Sequence, residues 1–352
     1  MAKIGYGWHK VLAAIGSCLM VAGAYTSTEA SDLLSERIRL SGSIRFQWSD
    51  TDGRQPRDGF ETRLARLAAS FQLDEQVSGR MMVEFASGDR ATNAELRDAY
   101  VVWRPNARLS VSAGQQLMPI FYDGRERTPQ LDALERAEVV GVYLQGVRGR
   151  GVFASYALEP RYQIQVGLWN SLTFRDPQLV GRGGQAEVMG SLNVRATLNA
   201  YQLNIGGWAG RRPSFTTVSE SNTPLNVPDT ERWLWYVEQE WRNSAGLGLR
   251  WSYVKGRDRN PAGGVSNPRY LTPSEFQSNI VYVRYTFNPR HQLVARWEDF
   301  DPDLDRSGDG VRVLGLFYHH FPAAGIRLTA AYEWLRGSNR QNRASLAAQY
   351  QF

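Results

Sequence analysis

The stretch LSGSIRFQW, residues 40–48, alternates apolar and polar side chains with a period of two. Successive side chains of a β-strand point to opposite faces, so this stretch predicts a strand with one apolar and one polar face. We interpret the repeated pattern as an all-β fold, a transmembrane antiparallel β-barrel with an apolar outer wall and a polar interior. The alternation returns most clearly at residues 67–71, 81–85, 99–103, 247–253, 281–287, 293–297, 326–334 and 344–352.

The connections between these segments alternate between short and long, and this indicates the topology. Bacterial barrels have short periplasmic turns and long external loops, so we expect sixteen strands with both termini in the periplasm. Residues 139–146 either extend the sixth strand or belong to the loop before it. The short turns fall at residues 74–76, 104–106, 243–245, 288–290 and 322–324. The long segments are 50–60, 88–94, 117–149, 171–186, 211–230, 257–275 and 301–309.

The N-terminal segment differs from the rest of the chain. Residues 1–30 combine a positively charged start with an apolar centre, which is typical of a cleavable signal peptide for export. The expected organisation is therefore a signal peptide at 1–30, a short periplasmic segment at 31–38 and a barrel in the bacterial outer membrane at 39–352. The single cysteine, Cys18, lies in the signal peptide, so the exported chain forms no disulfide.

The composition excludes two classes of protein. Charged residues make up 22% of the chain, and no long apolar run follows the N-terminus, which excludes a bundle of transmembrane helices. The 41 basic residues exceed the 35 acidic ones too little, and are too interspersed, for a nucleic-acid surface. Nearly all the basic residues are arginines, which bind two anion oxygens at once. A genome that favours arginine codons explains this bias equally well.

Aromatic residues near strand ends predict the girdles that lie where lipid meets headgroups. The final strand ends in Tyr350 and Phe352, and terminal aromatics of this type resemble the tag read by the barrel-insertion machinery. We therefore expect that machinery, outer-membrane lipid and lipopolysaccharide as partners. The girdle candidates are Trp48, Trp103, Trp169, Trp251, Trp297 and Trp334.

The long segment from Leu117 to Arg150 carries charges of both signs. If it faced the opposite wall across a wet lumen, these charges would create a transverse field that orients polar solutes and filters ions. The alternative is a solvated external loop with no role in the pore. The charged residues are Asp123, Arg125, Glu126, Arg127, Asp132, Glu135, Arg136 and Glu138.

Within each strand, the residues that alternate with the apolar ones face the barrel interior. We place further charged residues there, because a charge on the lipid face at mid-depth costs about 2–4 kcal/mol. Many of the carboxylates are expected to pair with the arginines, and we hypothesise a preference for anions. The inward arginines are Arg45, Arg66, Arg80, Arg195, Arg250, Arg284, Arg296, Arg327 and Arg343, and the inward carboxylates are Glu84, Asp98, Glu187, Glu238, Glu240, Glu298 and Glu333. The candidate constriction residues are Asp123, Arg125, Glu126, Arg127, Glu135, Arg136, Arg45, Arg66, Arg80, Glu84, Asp98, Arg250, Arg284 and Arg296.

Several short motifs occur in a fixed order between residues 61 and 170. They are Arg63-Leu64-Ala65-Arg66-Leu67, Asp98-Ala99-Tyr100, Gly114-Gln115 followed by Pro119, Glu135-Arg136, Gly141-Val142-Tyr143-Leu144-Gln145-Gly146 and Gly167-Leu168-Trp169-Asn170. In this order they resemble the phosphate-selective porin O and P family. The resemblance implies a sixteen-stranded trimeric porin whose third external loop folds into the lumen, and a phosphate-like anionic solute. Leu117 stands where the family often has a lysine, so a general, non-selective porin is the alternative.

Some constellations point less clearly to chemistry. Four aspartates in 301–309 suggest a calcium loop, but Arg306 replaces its turn glycine and Arg312 its bidentate glutamate. The histidines of the exported chain are His291 and the pair His319-His320, which we place at the periplasmic rim. We therefore expect no metal, no cofactor and no catalytic residues. Two further functions compete with the porin interpretation, namely a barrel enzyme and a structural barrel plugged by its loops.

Overall fold

The computed structural model describes residues 37–52, 58–86, 94–144, 148–172, 188–212, 214–218, 224–259, 272–337 and 341–352. The expected signal peptide lies outside these residues. In the described ranges, no helix has both the length and the apolar character needed to cross a membrane. The strands are β1 (Ile38–Asp52), β2 (Gly59–Gln72), β3 (Val77–Ala86), β4 (Glu95–Trp103), β5 (Leu109–Leu117), β6 (Arg148–Glu159), β7 (Tyr162–Leu172), β8 (Val188–Leu198), β9 (Tyr201–Arg212), β10 (Phe215–Val218), β11 (Pro224–Val227), β12 (Thr230–Arg242), β13 (Leu247–Asp258), β14 (Ser274–Asn288), β15 (His291–Asp301), β16 (Val311–His320), β17 (Ile326–Arg336) and β18 (Gln341–Gln351).

Sixteen of these strands form one closed antiparallel barrel, while β10 and β11 pair separately as a small two-stranded sheet. The barrel closes where β1 pairs with β18, with Phe46 opposite Ala348. At the end of this seam, Gly42 and Phe352 exchange two backbone hydrogen bonds of 2.9 and 3.2 Å. Closure leaves no free sheet edge, as a strand fold in lipid requires. The prediction of a sixteen-stranded barrel is confirmed.

The two faces of the barrel wall follow the period of two in the sequence. In β1, Ser43, Arg45 and Gln47 are buried inside, whereas Phe46 is 58% exposed on the outside. The predicted inward arginines have this inward parity, as do the predicted inward carboxylates, apart from Glu187, which lies outside the described residues. The assignment of Trp169 to a girdle is wrong, because its parity in β7 turns it inward, where it is 3% exposed and packs against Trp208.

Short turns join the strands at one end of the barrel, which we name the turn end; the opposite end is the loop end. All five predicted short turns lie between consecutive strands at the turn end. Side chains close four of them: Asp74 accepts hydrogen bonds from the backbone of Gln76 and Val77, and Asn106, Asn243 and Asn288 accept from backbone N–H groups of their own turns in the same way. These are the local bonds that favour Asp and Asn in turns.

The connection between β5 and β6 is the third one at the loop end. Its residues Met118–Leu144, which we name the lumen segment, contain α1 (Tyr122–Arg125), a 3-10 turn (Thr128–Gln130) and α2 (Glu138–Tyr143). The segment contacts inward-facing side chains of β1, β12 and β18 among others, so it lies inside the barrel. Residues 139–143 thus belong to the connection before β6 rather than to a strand.

Candidate pore constriction

Apolar packing holds one face of the lumen segment against the barrel wall. Tyr143 stacks on Phe276 of β14 with ring centroids 3.9 Å apart, and Phe121 packs against Tyr236 of β12 at 5.8 Å. All four rings are buried. Aromatic rings contribute large apolar area in such contacts, so this face of the segment forms a small hydrophobic core with the wall.

Two glutamates of the wall bind the N-termini of the two short helices. Glu238 of β12 accepts hydrogen bonds from the backbone N–H of Tyr122 and from Arg125, both at 2.6 Å. Glu298 of β15 accepts from the backbone N–H groups of Glu138 and Val139 at 3.0 and 3.4 Å. The first N–H groups of a helix have no partner within the helix, and a carboxylate satisfies them well. The wall therefore caps both helices.

Donors of the barrel wall also bind backbone carbonyls of the same segment. These carbonyls need partners because the segment is buried and largely irregular. Five donors from β1 and from β15 to β18 supply them: Arg45 to Leu134 at 2.7 Å, Arg296 to Glu135 at 3.0 Å, His319 to Asp132 at 2.8 Å, Arg327 to Leu131 at 2.8 Å and Gln349 to Pro129 at 2.9 Å.

Glu135 joins the segment to the wall by charge. Its carboxylate lies 2.9 Å from Arg63 and 3.3 Å from Arg45. Burial alone would raise the pKa of Glu135, but attraction to Arg63 and Arg45 outweighs burial and lowers the pKa to about 2. The ion pair is therefore intact at neutral pH.

Asp123 and Arg136 hold the segment together internally. Burial raises the pKa of Asp123, whose carboxylate accepts hydrogen bonds from the Tyr282 hydroxyl at 2.7 Å and from the Ala137 N–H at 3.1 Å. Arg136 donates to the carbonyls of Asp123 and Glu126, and burial lowers the pKa of Arg136 to about 10. Both side chains are thus committed to the fold of the segment.

Half of the candidate constriction residues therefore support the segment rather than line an open path. Arg45, Asp123 and Arg296 are at most 1% exposed, which excludes direct contact with a solute. Arg250 lies over the Tyr122 ring at 3.4 Å and pairs with Glu240. Arg284, Glu135 and Arg136 belong to the same group, through ion pairs or hydrogen bonds with the segment or the wall beside it.

The other candidates meet on the side where the segment faces β2 to β6. Glu84 binds both Arg66, at 3.2 Å, and Arg97. Asp98 lies 2.8 Å from Arg148 and 3.5 Å from Arg80. Four arginines thus surround two buried carboxylates, and Arg97 also lies 3.8 Å from the exposed Glu95.

Two cavities lie between this wall and the lumen segment. The one nearer the turn end has a volume of about 130 Å³, and its lining includes Arg66, Arg80, Arg127 and Gln130 but no Asp or Glu side chain of the described ranges. The one nearer the loop end has about 260 Å³ and is lined by Asp98, Tyr100, Gln116, Leu117, Arg125, Glu126, Arg127 and Gln130. Arg127 and Gln130 line both cavities and therefore stand between them, at the candidate constriction.

Sequence reasoning missed several residues here, and Arg97 shows why. The register between β3 and β4 shifts between Met82 and Val83, so β4 carries a bulge at Arg97. A bulge inserts one residue and changes the direction of a side chain. As a result the neighbours Arg97 and Asp98 are both buried inside, which a strict period of two does not predict. Nothing in the sequence except their polarity indicated that Gln130 and Arg148 belong to this site.

His319 and two of the aspartates singled out in the sequence form hydrogen bonds within the fold. His319 lies one residue before the end of β16, beside the turn end, but it is fully buried inside, and its ring lies 2.9 Å from the Thr329 hydroxyl besides its bond to the lumen segment. Asp301 and Asp303 accept hydrogen bonds from backbone N–H groups two residues further on. Across the described ranges, no group of three or more potential metal ligands comes together.

A closed barrel of sixteen antiparallel strands with a charged, constricted lumen has the architecture of outer-membrane porins. Residues 39–202 match the family model of phosphate-selective porin O and P, and the predicted resemblance is confirmed over that span. No curated protein sequence matches the chain.

Solved structures match the fold at low sequence identity. The outer membrane channel DcaP of Acinetobacter baumannii is 13% identical, with 90% of this chain and 97% of that chain covered and a TM-score of 0.63. The anion-selective porin from Comamonas acidovorans is 12% identical, with 90% and 99% covered and a TM-score of 0.63. OmpT of Vibrio cholerae, in a trimer form, is 15% identical, with 90% and 99% covered and a TM-score of 0.60.

Proposed function

We propose that this protein is a porin that lets small hydrophilic anions, of the phosphate-like class, diffuse passively across the outer membrane. The observation that carries the proposal is the position of Arg127. It stands between the two cavities and forms no ion pair with any residue of the described ranges, and Arg66 and Arg80 line the turn-end cavity beside it. A guanidinium between the two cavities, with no ion-pair partner in the described ranges, favours anions over cations.

The mechanism requires no turnover. An anion that enters the constriction loses part of its hydration shell, and the arginines supply hydrogen bonds and charge in its place. The shared carboxylates Glu84 and Asp98 keep the wall from being excessively positive, so that an anion binds weakly enough to leave. A cation that reaches Arg127 meets repulsion of about 4 kcal/mol at 4 Å in a medium of intermediate dielectric.

Reversal potentials test the charge preference. In a planar bilayer with a potassium chloride gradient, the wild-type channel should give the sign of an anion-preferring pore. Arg127→Ser should bring the permeability ratio toward one, and Arg127→Glu should favour cations. Arg161→Ser, which removes an exposed arginine at the turn end, should leave the ratio unchanged. A cation preference of the wild type would overturn the proposal.

The solute class and the competing functions need separate measurements. Phosphate that blocks chloride current at low concentration supports a phosphate-like solute, whereas equal permeability to both anions supports a general porin. A structural barrel would show no conductance. An enzyme would need an activated nucleophile, and in the described part of the chain no hydrogen bond joins a histidine to a serine side chain or a carboxylate.

The setting in the cell follows from the same proposal. We place the protein in the bacterial outer membrane, exported by a cleavable signal peptide at 1–30 and inserted with the aid of Phe352. Lipopolysaccharide and other outer-membrane lipids then surround the barrel. We also propose a homotrimer, a form that one protein of similar fold adopts. Size-exclusion chromatography with light scattering should give three copies per particle.

A further inference from the structure

The two cavities beside the lumen segment offer different chemistry to a solute. The loop-end cavity, of about 260 Å³, is lined by side chains of both charges and by hydroxyl and amide groups, among them Tyr100, Glu126 and Gln130. The turn-end cavity has half that volume, about 130 Å³, and its charged side chains in the described ranges are all arginines. A solute that spans the constriction at Arg127 therefore meets arginines at one end and mixed hydrogen-bonding groups at the other.

Three groups of the loop-end cavity have hydrogen-bonding capacity that the fold leaves open. Within the described ranges, the Tyr100 hydroxyl and the Gln130 side-chain amide form no hydrogen bond. The Glu126 carboxylate lies 3.8 Å from Arg125, a guanidinium that is itself bound to Glu238 at 2.6 Å. A hydroxyl group, an amide and a carboxylate that can still bind a solute thus line one space.

Glu126 is unexpected beside a passage for anions, because a carboxylate repels a bare anion. It becomes favourable when the solute carries hydroxyl groups, since a carboxylate accepts strong, charge-assisted hydrogen bonds from them. Tyr100 and Gln130 can both donate to and accept from the same hydroxyl groups. A few polar groups of this kind determine the orientation of a small molecule in its site. The loop-end cavity therefore fits a hydroxylated body better than a bare ion.

We propose that the constriction selects small phosphate esters of polyols, with the phosphate group on the turn-end side of Arg127 and the hydroxylated carbon chain in the loop-end cavity. The inference rests on the proposed function and names its solute. Arg66 and Arg80 then face the phosphate group from the wall. Phe352 also lines the turn-end cavity, and its terminal carboxylate accepts a hydrogen bond from the Gly42 N–H at 2.9 Å. The phosphate group therefore lies on the arginine side of that cavity.

A matched pair of solutes tests the role of the hydroxyl groups. Glycerol phosphate and propyl phosphate carry the same charge and have nearly the same size, but only glycerol phosphate has free hydroxyl groups. In a planar bilayer in which chloride carries the current, glycerol phosphate should block the channel at about tenfold lower concentration than propyl phosphate, because one or two additional hydrogen bonds contribute about this factor. Inorganic phosphate should also block more weakly than glycerol phosphate. Equal block by the two esters overturns the inference.

The removal of one hydroxyl group from the cavity tests the contact itself. Tyr100→Phe should weaken block by glycerol phosphate several-fold, while block by propyl phosphate stays the same. The matched variant Tyr156→Phe, which removes a hydroxyl group from the outer face of β6, should change neither. Heat-modifiable mobility on gels shows that both barrels are folded. A Tyr100→Phe variant that changes block by both esters equally, or by neither, overturns the inference.

The charge of Glu126 makes a second, opposite prediction. Glu126→Gln removes the repulsion of a bare anion, so block by inorganic phosphate should become stronger. The preference for glycerol phosphate over propyl phosphate should become smaller, because the hydrogen bonds to the side chain lose their charge assistance. An unchanged preference between the esters, together with unchanged block by inorganic phosphate, overturns the role of Glu126.

The outcomes separate this inference from the pore proposal. Reversal potentials in potassium chloride report the charge preference of the channel, while block by the two esters reports which solute it selects. An anion preference combined with equal block by the esters overturns the inference alone. A cation preference overturns the proposed function, whatever the esters do.

Discussion

Single carboxylates of the wall determine where the lumen segment lies. Glu238 receives two donors from the segment, and without it the Tyr122 N–H and the Arg125 guanidinium would be left without this partner. Leaving buried donors unpaired costs about 1–3 kcal/mol each. We therefore expect Glu238→Ala to loosen the segment and increase current noise in single channels. Glu231→Ala, on the exposed outer face of the same strand, should behave as wild type; equal noise in both variants would contradict the capping role.

Glu135 makes the anchorage depend on acid. Its folded-state pKa of about 2 lies below the ordinary 4.5, so its ion pairs stabilise the segment above pH 4.5. That stability is lost as the pH falls from 4.5 toward 2. Limited proteolysis with pepsin should cleave the segment increasingly over this window. Glu135→Gln should weaken the anchorage at neutral pH and flatten its contribution to the acid dependence; an unchanged pH profile in this variant would show that other groups control the segment.

For single residues, the sequence predicted correctly whether a side chain faces the interior or the lipid in cases where the alternation along the strand alone determines this. A residue such as Arg296 must face inward because its strand neighbours face lipid, and it does. Whether an inward arginine touches a solute depends on which wall the lumen segment covers. The segment packs on the side of Tyr236 and Phe276, so Arg296 is covered and Arg80 is left beside a cavity. Which part of the wall the segment covers depends on tertiary packing, and no local sequence pattern predicts it.

At the scale of elements, the lumen segment is held by packing as well as by charge. Tyr143 stacks on Phe276 and its hydroxyl donates to the Pro302 carbonyl at 2.6 Å. Removing a buried aromatic side chain costs about 3–5 kcal/mol. Because each barrel strand keeps its own backbone ladder, Tyr143→Ala should release α2 while the barrel stays closed. Protease cleavage confined to the segment, with unchanged heat-modifiable mobility, would be the expected result.

The matched variant for this test is Tyr156→Ala, which removes an exposed tyrosine from the outer face of β6. It should not change cleavage of the segment. If Tyr143→Ala instead unfolded the barrel, the segment would be part of the folding core rather than a docked connection.

The strands and turns were predictable as elements, whereas the helices of the lumen segment were not. A strand such as β1 carries its alternation over fifteen residues, and a turn such as 104–106 carries Pro and Asn. The helices α1 and α2 have four and six residues, too short for a helical period to emerge. Glu238 and Glu298 of the barrel wall cap and stabilise these helices. Because the capping residues lie far away in the sequence, no pattern within the segment itself predicts the helices.

At the scale of the whole molecule, the arrangement of charge should make selectivity depend on ionic strength. The arginines of the β2–β6 wall, together with Arg127, attract an anion before it reaches the constriction. Dissolved salt screens this attraction over such distances. The screening length is about 10 Å at 0.1 M salt and about 3 Å at 1 M. We expect the anion-to-cation permeability ratio to fall clearly between these concentrations, because the distant arginines lose their effect while direct contact with Arg127 persists. Arg127→Ser should start from a lower ratio and approach one at 1 M. A wild-type ratio that is independent of salt would show that selectivity arises from contact at the constriction alone, and that the charge of the wall serves only the fold.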